Sequence, residues 1–178
     1  MKIIETKIEG SFIIEPQVFG DERGFFLESF QDKRYKDLAG IDYLFVQDNH
    51  ARSEKNVLRG LHLQKIKPQG KLVRVVRGEV FDVAVDLRPN SISYGKWESV
   101  ILSEDNNKQF WIPPGLAHGY LVLSDIADFE YKVTDYFNPN DEICIRWDDP
   151  SLNIPWPTSE PNLSKKDEKG FFIADLNL

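Results

Sequence analysis

The chain has 178 residues, 41% of them apolar with 12 Phe, 6 Tyr and 4 Trp, which is enough for a sizeable buried core and excludes global disorder. A formal net charge of −7 and a pI near 5.0 argue against duplex nucleic acid or an anionic membrane as the main partner. One cysteine, Cys144, leaves no internal disulfide framework and points to a reducing, cytoplasmic setting, and no apolar run approaches the ~20 residues that cross a bilayer.

The chain opens with Met1-Lys2-Ile3-Ile4-Glu5, where an acid arrives too early for a signal-peptide core. β-Rich runs follow at 11–15 and 23–30. Gln31 to Ala39 then predicts two turns of helix, with Arg34, Tyr35 and Leu38 on one side. Strand patterns resume at 43–49, 57–64 and 71–77. From Val80 to Leu87 the side chains Phe81, Val83, Val85 and Leu87 alternate with Asp82, Ala84 and Asp86, a period of two that predicts a strand with one face buried. Further runs lie at 97–103, 108–112, 118–123, 127–135 and 143–147. Turn chemistry separates these runs: Arg77-Gly78, Arg88-Pro89-Asn90, Asp105-Asn106-Asn107, Pro113-Pro114-Gly115 and Asn138-Pro139-Asn140. After Asp149-Pro150 the pattern fades into Pro155-Trp156-Pro157 and a polar segment at 158–170. With no repeat or long linker, residues 1–178 are expected to form one all-β domain, a sandwich or barrel with a short, partly irregular C-terminal region.

Candidate chemistry concentrates in Arg59-Gly60-Leu61-His62-Leu63-Gln64, which follows Phe45-Val46-Gln47-Asp48-Asn49-His50 and leads into Gln69-Gly70-Lys71. A histidine and a lysine held beside a guanidinium suit an anionic substrate with an acidic C–H. Alternation places Leu58, Gly60, His62 and Gln64 on one face, where a glycine beside a histidine leaves room for a ligand. Arg59 falls on the other face unless Gly60 sits in a bulge. Lys71 shares a face with Val73 and Val75, so it either snorkels at the sheet end or meets a negative charge. Tyr131 lies with Ala127, Phe129 and Val133, either as a core tyrosine or as a phenol able to donate a proton at a pocket. His118 enters a strand after a rigid turn, and His50 closes another polar cluster. A metal-binding cupin uses a His-x-His pair, and Gln64 occupies the second position here, a poor site for zinc or iron. No Walker loop, dinucleotide fingerprint or nucleophile elbow is present. Diphosphate binding then falls to side chains, with Arg23 and Arg59 best placed.

At these residues the chain resembles the dTDP-4-dehydrorhamnose 3,5-epimerases. The resemblance rests on Asp21-Glu22-Arg23-Gly24-Phe25-Phe26-x-Glu28-x-Phe30, Phe45-Val46-Gln47-Asp48-Asn49 and Val57-Leu58-Arg59-Gly60-Leu61-His62-x-Gln64. It continues through Gln69-Gly70-Lys71-Leu72-Val73-Arg74-Val75, Gly78 to Arg88, Ile112-Pro113-x-Gly115-x-Ala117-His118-Gly119, Tyr131-Lys132-x-Thr134-Asp135-Tyr136 and Ile145-x-Trp147-x-Asp149-Pro150. The family implies a cupin-like β-barrel of the jelly-roll type, usually a homodimer exchanging N-terminal strands, working without metal or cofactor. It implies a nucleotide-linked 4-keto-6-deoxyglucose, inverted at C3 and C5 on the way to L-rhamnose. By resemblance His62 is the base, Asp167 its carboxylate partner, Lys71 the cation for the enolate oxygen and Tyr131 the acid on the opposite face. Arg23, Glu28, Gln47, Asp48, Asn49, Arg59, His118, Glu142 and Lys166 match positions that hold the sugar nucleotide. Two departures, Leu63 in place of a common aromatic and Phe137 in place of a frequent tyrosine, keep a C3-only epimerase open as a rival. A sugar-nucleotide 3,4-ketoisomerase and a catalytically silent sugar-binding cupin are the more distant alternatives.

Overall fold

A computed structural model describes residues 1–176. Its strands are β1 (Lys2–Glu5), β2 (Phe12–Glu15), β3 (Val18–Asp21), β4 (Gly24–Leu27), β5 (Gln47–Glu54), β6 (Leu58–Gln64) and β7 (Lys71–Arg77). They continue with β8 (Glu79–Asp86), β9 (Trp97–Ser103), β10 (Gln109–Ile112), β11 (Leu116–Val122), β12 (Ile126–Val133) and β13 (Glu142–Cys144). One sheet has the order β1-β2-β10-β7-β12-β5, a second β13-β6-β11-β8-β9, and β3-β4 form a separate hairpin. All pairings of named strands are antiparallel. Two antiparallel sheets packed face to face bear out the expected cupin-like, jelly-roll β architecture.

The main core lies between the sheets. Val73, Val75, Phe110, Ala127 and Phe129 project from one, and Val80, Ala84, Leu116, Tyr120 and Val122 from the other. Leu61, Leu63, Val83, Val85 and Ile145, on the outer face of the second sheet, are covered by Leu152, Ile154 and Trp156 from the C-terminal segment. This cover corrects the one-sided expectation for Val80–Leu87. Both faces of β8 are buried, and its Asp82–Ala84 side looks into the sandwich rather than into water.

Among the described residues the single α-helix, α1, spans Asp32–Ala39. Gln31 caps it by accepting from Arg34 N at 2.5 Å, and Gly40 ends it in the left-handed region at φ 69°. Of its expected face only Tyr35 is buried; Leu38 is 61% exposed, and Arg34 reaches Glu28 at 3.1 Å. The run expected at 43–49 becomes a strand only at Gln47 and extends to Glu54. β1 and β3 were not anticipated. Val18–Asp21 buries nothing in its own chain, so its sequence carries no two-sided pattern.

Candidate active site

The site is built where β6 meets β11. Their register pairs His118 with His62 but Tyr120 with Arg59, so β6 carries one extra residue between them. Gly60 supplies that bulge. It sits at φ +120°, and a Cβ there would lie 2.5 Å from Gly119 Cα, so any side chain would collide with the neighbouring backbone. The extra residue resolves the conflict of faces, because Arg59 and His62 both line one cavity of about 470 Å3.

His62 Nε2 donates to Asp167 Oδ1 at 2.5 Å. Its other ring nitrogen, Nδ1, lies 3.9 Å from Glu142 Oε1. Asp167 is 3% exposed and opens a short 3-10 turn, Asp167–Lys169. Ser164 Oγ donates to Asp167 Oδ2 at 2.7 Å, and Cys144 Sγ sits 3.4 Å from Oδ1. Burial opposes ionisation of this carboxyl, but the hydrogen bonds from His62 and Ser164 outweigh it and hold it below the usual carboxylate range.

Lys71 is 7% exposed, and its Nζ donates to the His62 carbonyl at 3.3 Å. Burial pushes its ammonium down to about 8, with Glu142 and Asp82 opposing the shift by their charge. An ammonium so poorly solvated beside two carboxylates gains from a further negative charge. His118 Nε2 faces Asp82 Oδ2 at 2.9 Å with both groups buried. Burial lowers the affinity of His118 for a proton, and Asp82 partly restores it.

Tyr131 enters the same cavity from β12, in the opposite sheet, directly across from Asn49 on β5. Its ring packs on Phe129 at 5.9 Å, and burial raises its phenol pKa, with Arg59 opposing. Gln47 donates to Asn49 Oδ1 at 2.8 Å, Lys166 pairs with Glu142 at 2.7 Å, and all four line the cavity. The structure thus brings together His62, Asp167, Lys71, Tyr131, His118, Arg59, Gln47, Asn49, Glu142 and Lys166.

Three expected residues are not on that wall. Arg23, at the exposed tip of the β3–β4 hairpin, pairs with Asp21 at 2.5 Å. Glu28 pairs with Arg34, and Asp48 binds Lys132 at 2.9 Å beside a separate cavity on the outer side of β5 and β12. His50 also faces away, toward Asp128 at 3.1 Å. Gln64 ties down loops instead, accepting from Asn138 N and donating to the Lys67 carbonyl, both at 2.8 Å.

Sequence reasoning passed over Asp82 and Ser164. Asp82 was visible as an acid inside an apolar strand, the position where a buried carboxylate needs a partner. Ser164, three residues before Asp167, matches the spacing of a side chain that caps a turn.

Comparison with known proteins agrees with this geometry. The family model for dTDP-4-dehydrorhamnose 3,5-epimerase matches residues 5–175. The enzyme of that name from Escherichia coli (strain K12) is 56% identical, over 99% of this chain and 96% of its own. The crystal structure of a dTDP-6-deoxy-D-glucose-3,5-epimerase from Legionella pneumophila in complex with dTDP-4-keto-L-rhamnose superposes with a TM-score of 0.96 at 55% identity, covering 99% of this chain and 94% of that one. A 3'-monoepimerase from Streptomyces bikiniensis in complex with dTDP-quinovose is more distant, with a TM-score of 0.90 at 34% identity over 96% of this chain and 87% of its own. A cavity walled by histidine, lysine and tyrosine, on a frame shared along nearly its whole length with these enzymes, places this chain in the dTDP-4-dehydrorhamnose 3,5-epimerase family.

Proposed function

We propose that this protein inverts C3 and C5 of dTDP-4-dehydro-6-deoxy-D-glucose, yielding dTDP-4-dehydro-L-rhamnose, with His62 as base and Tyr131 as acid. The 4-ketone acidifies the C–H bonds on both flanking carbons. His62 Nδ1, whose lone pair is free because Nε2 donates to Asp167, takes the proton. Asp167 then stabilises the imidazolium, and Lys71 meets the charge that develops on the ketone oxygen. Inversion requires the proton to return on the other face, a task for the Tyr131 phenol. One observation carries the reading: His62 and Tyr131 line the same cavity from opposite sheets, with Lys71 buried beside them.

The diphosphate and nucleoside fall to Arg59, Gln47, Asn49, His118, Glu142 and Lys166 around the rim. Arg23 and Glu28 complete the set from a second copy of the chain. The hairpin that carries Arg23 leaves Phe19, Phe25 and Phe26 at 60%, 65% and 69% exposure. Burying three phenylalanines is worth on the order of 5 kcal/mol, a strong drive toward a homodimer. Residues 1–178 act as one domain. The buried free thiol of Cys144 and the lack of any helix, among the described residues, long and apolar enough to cross a membrane favour a cytoplasmic setting.

Incubation with the 4-keto substrate in heavy water, followed by NMR, tests the reading. Deuterium is expected at C3 and C5 with the wild type and at neither with His62→Ala, which still binds dTDP. Label at C3 alone identifies a C3-only epimerase; exchange by His62→Ala at the wild-type rate overturns the base.

A further inference from the structure

We propose that His62, Cys144 and Asp167 together form an inhibitory site for a divalent cation of the zinc type, which shuts the enzyme down by taking over its base. The imidazole nitrogen, the thiol sulfur and a carboxylate oxygen lie within 4.8 Å of one another. The sulfur is 3.4 Å from Asp167 Oδ1, close to the spacing of ligand atoms around a tetrahedral zinc, roughly 3.3–3.8 Å, whereas His62 Nε2 is 2.5 Å from that oxygen, a hydrogen-bond spacing that has to widen when a cation replaces the proton between them. His62 and Asp167 open onto the cavity, which provides an entry path and room for a water in a fourth position. The cysteine makes the difference. A histidine and a carboxylate alone are a weak pair for zinc, whereas a buried thiolate is a soft, high-affinity ligand.

Capture of the cation displaces two protons from their present places. The thiol proton leaves to solvent, and the imidazole proton moves from Nε2 to Nδ1, with the Glu142 carboxylate 3.9 Å away. That tautomer has no lone pair left for the substrate, so the base is lost without the cavity being filled. Burial, with Asp167 adding to it, pushes the Cys144 thiol up to about 12, so the cation competes with a firmly held proton.

Cobalt(II) chloride, added to the full-length protein without substrate, provides a readout that does not depend on turnover. The wild type is expected to show tetrahedral cobalt absorption with a sulfur-to-cobalt charge-transfer band, and Cys144→Ser to lose that band. Serine keeps a donor to Asp167 Oδ1 and is a poor zinc ligand; Cys144→Ala serves as a second variant if serine folds badly. In parallel, zinc chloride in a chelator-buffered assay should stop deuterium exchange reversibly, at a concentration at least about tenfold lower for the wild type than for Cys144→Ser, each measured against its own metal-free rate. Equal sensitivity in the two proteins, or no thiolate band in the wild type, overturns the proposal. So does thiolate-bound cobalt with an undiminished exchange rate. The spectral arm does not rest on His62 being the base, so failure here is distinguishable from failure of the proposed mechanism.

Discussion

Replacement of Asp167 by asparagine tests the least obvious part of the site, because the residue comes from an irregular segment 105 positions from His62. In the native arrangement the carboxylate accepts from His62 Nε2 at 2.5 Å and is 3% exposed. An imidazolium and a carboxylate with charge centres about 4 Å apart attract by about 4 kcal/mol at an effective dielectric near 20. That attraction is absent before proton removal and present after it, so it lowers the barrier. At 1.36 kcal/mol per decade, its loss predicts a fall of about 10^3 in the exchange rate. The amide introduced by Asp167→Asn can also turn its NH2 toward Nε2 and force the proton onto Nδ1, which compounds the loss. The assay is deuterium wash-in at C3 by NMR, with dTDP affinity by calorimetry as a control that should move by less than about threefold, because Asp167 acts on the imidazole. An exchange rate within tenfold of wild type, in a variant that still binds dTDP, would refute the claim that this carboxylate supports the base.

Three other expectations follow from the same geometry. Tyr131→Phe should keep proton removal at C3 while inverted product falls by about 10^2 or more, separable by comparing deuterium loss with product formation; normal product would move the acid elsewhere. Lys71, pushed down to about 8, loses its positive charge as pH rises through that value, so kcat/KM should fall above about pH 8. Lys71→Gln should be slower by about 10^2 and lack that alkaline limb; a limb unchanged in the variant would assign it to another group. Mixing inactive Arg23→Ala and His62→Ala chains should restore up to about a quarter of wild-type activity if Arg23 serves the partner's cavity, because half of the dimers are mixed and each holds one intact site. No recovery after confirmed subunit exchange would return Arg23 to its own chain.

The strands that face the core were legible in the sequence because burial on one or both sides leaves a repeating apolar mark. β7, β9 and β12 lie within a residue or two of their expected spans. The chemistry of His62, Lys71 and Tyr131 was legible as residue types held on such strands. Three things were not. The joint placement of Arg59 and His62 depends on a one-residue bulge, and a shift of one residue reverses a side chain's face without changing composition. Asp82 read as the polar side of a half-exposed strand, because nothing in β8 itself reveals that the segment around Leu152–Trp156 will cover the outer face. Cys144 read as a lone cysteine without a disulfide partner. It is buried, and its sulfur sits against the carboxylate that orients His62, a contact set by a tertiary pairing of residues 23 positions apart.

The proposed stereochemistry rests on how these parts are anchored. His62 and Tyr131 sit in strand interiors, β6 and β12, each paired on both sides by neighbouring strands. Their separation is therefore the spacing of two packed sheets, a quantity that side-chain motion alters little. Asp167 has no such anchor of its own, and the C-terminal segment supplies one through backbone bonds. Leu58 N donates to the Asn162 carbonyl at 3.1 Å, Phe171 N to the Cys144 carbonyl at 2.9 Å, and Arg146 N to the Phe171 carbonyl at 2.9 Å. These bonds bracket Asp167 in sequence and fasten the segment to β6, which bears His62, and to β13 beside it. With His62 as base and Tyr131 as acid, as proposed, their rigid placement on opposing walls would fix which face loses the proton and which regains it. On the same proposal the tethered carboxylate would set how readily the first of those steps occurs, so that stereochemical outcome and rate would be controlled by different parts of the fold.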